Sequence, residues 1–311
     1  ERYWEPKYQE NTSGIEDLVL DAINKVKVSD VPVYTFLSGG IDSTLVASQM
    51  EGMNAVHLDS PELQYAKEAA RKFRMNLHVV NPKSIDVQEC LKDYAFQAGE
   101  PSMASLIPYI TSKEVHNLGA KVAISANGAD ELFFGYDRMK DGGIQATGIF
   151  RHTAFPFKHI EHYPQQAKFG WQQWVELQTY VQYDLNKTLD NASMCHSLEV
   201  RSPFLDHRLI EMALSIPESV HRKEGNKTIL KNMLRKMGFS NDFVNRPKLG
   251  FSLHQEPEGM QNMKVQATKW CIENEFLKVN DWNRLSGRDQ RYLEMSCLSF
   301  YYWCEVWKTK L

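Results

Sequence analysis

Leu37-Ser38-Gly39-Gly40-Ile41-Asp42-Ser43-Thr44 is the stretch on which the fold turns. It ends an apolar, β-branched run at residues 33–37 and leads into a helical pattern over residues 43–51, so a Ser-Gly-Gly turn joins a buried strand to a helix. In such a turn backbone N–H groups and hydroxyls converge on an anion, and the helix N-terminus behind them adds about half a positive charge. A phosphate group suits that place. The Gly-Lys-Ser/Thr that ends a Walker loop is absent, so the turn does not point to transfer of a γ-phosphoryl group. Asp42 sets a carboxylate beside the phosphates, which is electrostatically tolerable only with a divalent cation between them. Taken alone, the Gly-Gly pair also fits an ordinary strand-to-helix turn capped by Asp42 and Ser43.

Outward from this turn, short apolar runs alternate with longer helical patterns. Strands are expected at residues 54–58, 77–80 and 121–125, and helices at residues 62–74, 85–98 and 108–118. This is the signature of parallel βαβ units, and it predicts an α/β fold: a doubly wound parallel sheet with helices on both faces. From Asp141 the texture changes to glycines (Gly142, Gly143, Gly148) and an aperiodic aromatic stretch (Phe155, Phe157, His159, His162, Tyr163), which reads as a mobile or partner-facing connection. Beyond Trp171 the pattern is almost wholly helical, over residues 172–190, 207–216, 227–237, 260–275 and 289–307. A single domain over residues 1–311 is expected, with a nucleotide-binding part at about 1–140 and a helical substrate lobe at about 141–311.

Composition narrows the partners. With 36 Lys plus Arg against 39 Asp plus Glu, the formal charge of -3 offers no bulk attraction to nucleic acid. The five cysteines (Cys90, Cys195, Cys271, Cys297, Cys304) are odd in number, scattered and without a CxxC spacing, so reduced, mostly buried thiols are expected rather than a disulfide framework or zinc site. His152, His159, His162 and His196 lack metal-ligand spacing with nearby carboxylates and read as surface or packing residues. No apolar run approaches the roughly 20 residues of a membrane span, and Glu1-Arg2-Tyr3-Trp4 has no secretory character, so a cytoplasmic protein is expected, with no membrane partner.

Ser38-Gly39-Gly40-Ile41-Asp42-Ser43 resembles the pyrophosphate loop of the N-type ATP-pyrophosphatases, and three further blocks resemble the asparagine synthetase family within that group. These are Gly99-Glu100-Pro101 with Ser125-Ala126-Asn127-Gly128-Ala129-Asp130-Glu131-Leu132-Phe133-Phe134-Gly135-Tyr136, then residues 193–206, then Asn245-Arg246-Pro247-Lys248-Leu249-Gly250-Phe251. The resemblance implies ATP and Mg2+, with Asp42 and Asp130 as the metal carboxylates. It places Ser38, Gly40 and Ser43, with Leu37 and Gly39 of the same turn, around the departing pyrophosphate. Phe36, Val56, Ser125, Ala126 and Gly128 would line the adenosine, and Lys227 and Lys248 would reach the phosphates and the adenylate. Fixed ammonium groups are most useful where the α-phosphorus and later the tetrahedral carbon gain negative charge. Glu199 and Arg201 fit either mutual pairing or recognition of a substrate carboxylate. Phe133, Phe134 and Tyr136 fit the core better than the site.

Two departures bear on the chemistry. Where the family usually carries Glu, this chain has Asn127, an amide without useful basicity; it can orient a substrate, and Asp184, Glu100 or Glu199 would then serve as base, unless the acceptor is not free ammonia. The start (Tyr3-Trp4-Glu5-Pro6) resembles the linker after the family's glutaminase domain, and no Cys precedes Cys90, so the chain is expected to be an excised domain, a subunit with a separate glutaminase domain or subunit as partner, or a stand-alone ligase using ammonia or an amine directly. The expected activity is adenylation of a carboxylate with release of pyrophosphate, then acyl transfer to ammonia or an amine, aspartate to asparagine by default. A larger carboxylate such as a peptide or sugar acid is the alternative within the class, and an ATP-binding scaffold subunit the alternative outside it. The oligomeric state is left open, a homo-oligomer included. A tRNA thiolase would call for catalytic cysteines or a basic appendage, and neither is evident.

Overall fold

Val33, Tyr34 and Thr35 are buried in succession on β1 (Val33–Phe36), the pattern of a strand covered on both faces. In a computed structural model, which describes residues 4–102, 104–141, 170–247, 256–285 and 287–307, β1 pairs in parallel with β2 (Asn54–Leu58), and β2 with β3 (Asn76–Val80). On its other side β1 pairs with β4 (Val122–Ile124), and β4 with β5 (Glu199–Arg201), again in parallel. The order is β3-β2-β1-β4-β5. The chain therefore steps outward from β1 to β3 and returns to lay β4 on the far side. The carboxyl ends of β1 and β4 flank the switch point where such sheets open a ligand crevice.

Alternate residues divide the core. Val33, Ala55, Val122 and Ile124 pack on one face with α1 (Ile15–Val26), whose Ile15, Val19, Ala22 and Ile23 recur at helical spacing, and with α2 (Ile41–Ala47) and α3 (Leu63–Lys72). Tyr34, Val56 and Ala123 pack on the other face against Val115 of α5 (Leu106–Asn117). A second cluster joins α5 to α4 (Val87–Ala98) and to two late helices described below. The parallel sheet with surrounding helices expected from the sequence is the one observed.

After β4 come the short α6 (Ala129–Leu132) and, further on, α7 (Trp171–Glu176), a π-helical stretch Leu177–Leu185 and α8 (Asn186–Met194). The remaining helices are α9 (His207–Ser215), α10 (Glu218–His221), α11 (Thr228–Lys236), α12 (Asn241–Asn245), α13 (Met260–Glu273), α14 (Val279–Asn283) and α15 (Gly287–Trp307). α13 and α15 complete the second cluster through Ala267, Cys271, Leu298 and Tyr302. Two features were not anticipated: β5 adds an edge strand from within the part read as helical, and the helix over residues 172–190 is π-wound along its centre. All five cysteines are free. Among the described residues no helix is long and apolar enough to cross a membrane. The aromatic stretch from Phe155 to Tyr163, and Lys248, lie outside the described residues.

Candidate active site

The first loop is fixed from beneath by the sheet. Thr35 Oγ1 donates to the Ile124 carbonyl at 3.1 Å, tying β1 to β4, and the Leu37 N–H donates to the Val56 carbonyl at 2.9 Å. His57, buried on β2, places Nδ1 2.8 Å from the Leu37 carbonyl and Nε2 3.2 Å from the Ser60 hydroxyl. A carbonyl only accepts, so Nδ1 carries the proton and Ser60 donates to Nε2. Burial holds this imidazole below its usual pKa, in keeping with a neutral link between loop and strand.

The turn itself requires its glycine. Gly39 has φ +87°, and a Cβ there would sit 2.9 Å from Ala66 N and Glu62 O, backbone atoms of the neighbouring segment. The Ser38 and Ser43 hydroxyls lie 2.9 Å apart, and the Gly40 N–H donates to Ser38 Oγ at 3.2 Å. Helix α2 then starts from extended Gly40 with Asp42 in its first turn.

The second loop leaves the adjoining strand. The Ser125 N–H donates to the Arg201 carbonyl at 2.9 Å, and its Oγ is 2.8 Å from Ser202 Oγ, so β5 anchors this loop. The Asn127 N–H donates to Ser125 Oγ at 3.3 Å. Gly128 turns the chain with φ +93°, pressed so close to Leu205 that a Cβ would meet its Cδ2 at 2.6 Å. Asp130 and Glu131 follow in α6.

Lys227 brings the two loops together. It precedes α11 with φ +59°, a left-handed conformation that costs a non-glycine residue roughly 1–2 kcal/mol, and its N–H donates to the Phe133 carbonyl at 3.2 Å. Its Nζ bonds Asp42 Oδ2 and lies 2.6 Å from Asp130 Oδ1. The lysine side chain is 5% exposed and the carboxylates 14% and 15%. Burial works against the ammonium charge, but Asp130 and Asp42 outweigh it and hold Lys227 above the usual lysine range. Gly135 makes room for the cluster: a Cβ there would lie 1.9 Å from Asp130 Oδ1 and 2.3 Å from Lys227 Cε.

Two carboxylates, one from each loop, thus converge on the Lys227 ammonium. This donor set suits a divalent cation such as Mg2+. Among the described residues no set of three His, Cys, Asp or Glu side chains is arranged to hold a metal, so phosphate oxygens would have to complete the coordination.

Beside the loops lies a second polar group. Glu131 is fully buried; burial and the neighbouring Asp130 push its carboxyl up to about 7, and Tyr136 OH donates to its Oε1 at 2.8 Å. Arg138 grips Glu176 with two bonds of 3.0 and 2.7 Å and stacks 3.8 Å from the Tyr136 ring centroid and 4.8 Å from that of Tyr180. The π-helical stretch brings the Leu185 carbonyl to 3.5 Å from Asn127 Nδ2, and burial raises the carboxyl of the preceding Asp184. Glu100 is held by Lys187 at 2.6 Å and Asn191 at 2.8 Å. Glu199 pairs with Arg201 at 2.7 Å, while Arg201 Nη1 donates to the Val26 and Val28 carbonyls, so these two brace the sheet edge.

Of the residues singled out in the sequence, Ser38, Gly39, Gly40, Asp42 and Ser43 share the first loop, and Ser125, Ala126, Asn127, Gly128 and Asp130 the second. Phe36 and Val56 stand opposite each other on β1 and β2. Lys227, expected at the phosphates, is engaged by both carboxylates here. Phe133 and Phe134 are core residues. Sequence reasoning missed His57 and gave Glu131 and Gly135, both within the second motif block, no role of their own. His57 carried a signal, a polar side chain in an otherwise apolar strand run; Gly135 gave none beyond an isolated glycine among aromatics.

The sequence pattern of a family described as asparagine synthase matches residues 14–281. The glutamine-hydrolyzing asparagine synthetase of Asparagus officinalis is 29% identical over 265 residues, covering 76% of this chain and 41% of the plant protein. Glutamine-hydrolyzing asparagine synthetase 1 of Bacillus subtilis (strain 168) is 24% identical over 310 residues, covering 76% and 49%, and a probable asparagine synthetase of Dictyostelium discoideum is 26% identical over 320 residues, covering 88% and 53%. The chain spans about half the length of these curated relatives.

Proposed function

This chain belongs to the asparagine synthase family, and from that premise we propose that it forms amide bonds at the expense of ATP, adenylating a carboxylate and passing the acyl group to ammonia or an amine. The observation that carries this reading is the convergence of Asp42 and Asp130 on one cation position at the carboxyl ends of β1 and β4. A carboxylate oxygen attacks the α-phosphorus, the bond to the β-phosphate breaks, and pyrophosphate leaves. The nitrogen then attacks the acyl carbon, the bond to AMP breaks, and a proton passes to a base.

Asp42 and Asp130 would hold Mg2+, which supplies charge neutralisation for the departing pyrophosphate. The Ser38 and Ser43 hydroxyls and the Gly40 N–H, clustered in the first loop, would face that group, and a third Lys227 N–H would donate to it once two serve the carboxylates. Phe36, Leu37, Val56, Ser125, Ala126 and Gly128 would seat the adenosine, and Lys248 would meet the charge on the adenylate. Asn127 orients the acceptor, and Asp184 takes its proton. Burial raises that carboxyl, which favours it as a base, whereas Glu100 and Glu199 are engaged in ion pairs. Aspartate and ammonia are the default pair, with a separate glutaminase as one source of ammonia. A larger acid is a second reading favoured by Asn127, whose amide cannot serve as the base.

The test is pyrophosphate release from Mg·ATP across candidate acids, with and without ammonia. Release that depends on one acid is expected; ATP binding without release for every acid would favour a scaffold. Asp130→Asn should abolish release, and near-normal turnover would mean that the carboxylate is misassigned. Asp184→Asn should leave pyrophosphate release nearly intact and depress amide formation. Equal loss of both would remove Asp184 as the base.

A further inference from the structure

Arg246 ends α12, and no step above uses it. Its guanidinium lies under the first loop: Nη2 donates to the Gly39 carbonyl and Nη1 to the Phe243 carbonyl, with Glu62 Oε1 3.4 Å from Nη2. The Tyr65 ring centroid is 3.9 Å away and that of Phe243 4.6 Å, and the two rings meet edge to face at 5.6 Å. The side chain is 11% exposed. Desolvating a guanidinium is costly, and a brace between α12 and α3 alone would be cheaper to build from aliphatic groups.

What the guanidinium holds is informative. The Gly39 carbonyl and the Gly40 N–H belong to one planar trans peptide, so they point in opposite directions. With the carbonyl drawn toward Arg246, the N–H must face the other side, where Ser38 Oγ accepts it at 3.2 Å and Ser43 Oγ stands 2.9 Å beyond. Gly39 at φ +87° has no side chain of its own to resist a flip of this peptide. We propose that Arg246 is a positioning residue for the pyrophosphate loop: it locks the Gly39–Gly40 peptide so that its N–H and the two serine hydroxyls are presented together to the anion. The inference rests on reading that loop as a pyrophosphate site, and it adds the residue that sets the loop's donor geometry.

Calorimetric titration of Mg-pyrophosphate, and separately of adenosine, into the wild-type chain and Arg246→Lys tests it. A lysine keeps the charge but cannot span both carbonyls with a rigid fork, so pyrophosphate affinity should fall about 10-fold with adenosine affinity unchanged. Hydrogen exchange at the Gly40 amide, which needs no ligand, should quicken in the same variant. Tyr65→Leu, which removes one stacking ring and keeps the arginine, should give a smaller loss of the same kind. Unchanged pyrophosphate affinity and unchanged Gly40 exchange in Arg246→Lys would overturn the proposal, as would parallel loss of both ligands. Wild-type protein that binds no pyrophosphate, with Gly40 exchange still quickened in the variant, would instead overturn the reading of the loop.

Discussion

At the scale of single residues the site is a balance of charges in a small, nearly closed space. Lys227 is buried, and its cost is offset by Asp42 and Asp130, so removing it takes a buried counter-charge away from two close carboxylates. Lys227→Met should destabilise the ligand-free chain by about 3 kcal/mol, the low end for breaking a buried pair. Magnesium should then raise its melting temperature more than that of wild type, because the Lys227 ammonium no longer competes for the carboxylates. A thermal-shift titration with MgCl2 checks this, and equal shifts in both proteins would sink the idea. Gly135→Ala probes the same space sterically. A Cβ 1.9 Å from Asp130 Oδ1 must displace it, and misplacing a positioning group by about 1 Å can cost about 100-fold in kcat. Unaltered steady-state turnover in that variant would mean the Asp130 position is not critical. The two aspartates were legible because each follows a glycine turn at a strand end. Lys227 was expected near the phosphates through the family resemblance alone, since a left-handed lysine leaves no composition signal of the kind that glycine or asparagine does.

At the scale of elements, β1 to β4 could be read because apolar, β-branched runs between turn residues leave few alternatives. β5 could not. It has three residues, two of them charged, and it is a strand only because β4 offers an edge and the Glu199 N–H donates to the Lys121 carbonyl at 3.0 Å. The π-wound stretch was equally hidden, because it continues an α-helix and no residue type in it marks the wider turn. Both matter to the site: β5 carries Ser202 to Ser125, and the π stretch carries Leu185 to Asn127. Gly128→Ala tests how tightly the second loop is seated on the segment after β5. The left-handed backbone and Leu205 Cδ2 at 2.6 Å leave no room, so a loss of about 1–3 kcal/mol is expected, seen as a lower denaturant midpoint with unchanged slope. An unshifted midpoint would show that Leu205 yields freely.

Across the whole molecule, proton uptake links the core to the site. His221 is buried against Phe133 and Phe134, immediately before the Gly135 that makes room for Asp130 and Lys227, and its Nε2 donates to the Ala213 carbonyl at 3.0 Å. Burial pushes it down to about 4, as burial does His196, and holds His57 below its usual value. Each folded value lies below the ordinary 6.5, so the unfolded chain binds more protons as the pH falls, and the stability these residues contribute, complete above pH 6.5, is lost toward pH 4. Glu131 opposes them. Its folded value near 7 lies above the ordinary 4.5, so its contribution is present below pH 4.5 and lost as the pH rises through 7. Asp184, also raised by burial, acts in the same direction as Glu131, with the ordinary 3.8 as its lower bound. Between pH 6.5 and 5 the three histidines outweigh the two carboxyls, so the melting temperature should fall on acidification. His221→Gln retains an amide donor for Ala213 but cannot titrate, and it should recover about 2 kcal/mol of the loss at pH 5 relative to pH 7. Calorimetric melts of both proteins at pH 7, 6 and 5 decide the matter: a wild-type curve that is flat or rises on acidification, or the same slope in His221→Gln, would show that the buried imidazoles do not govern stability in this range.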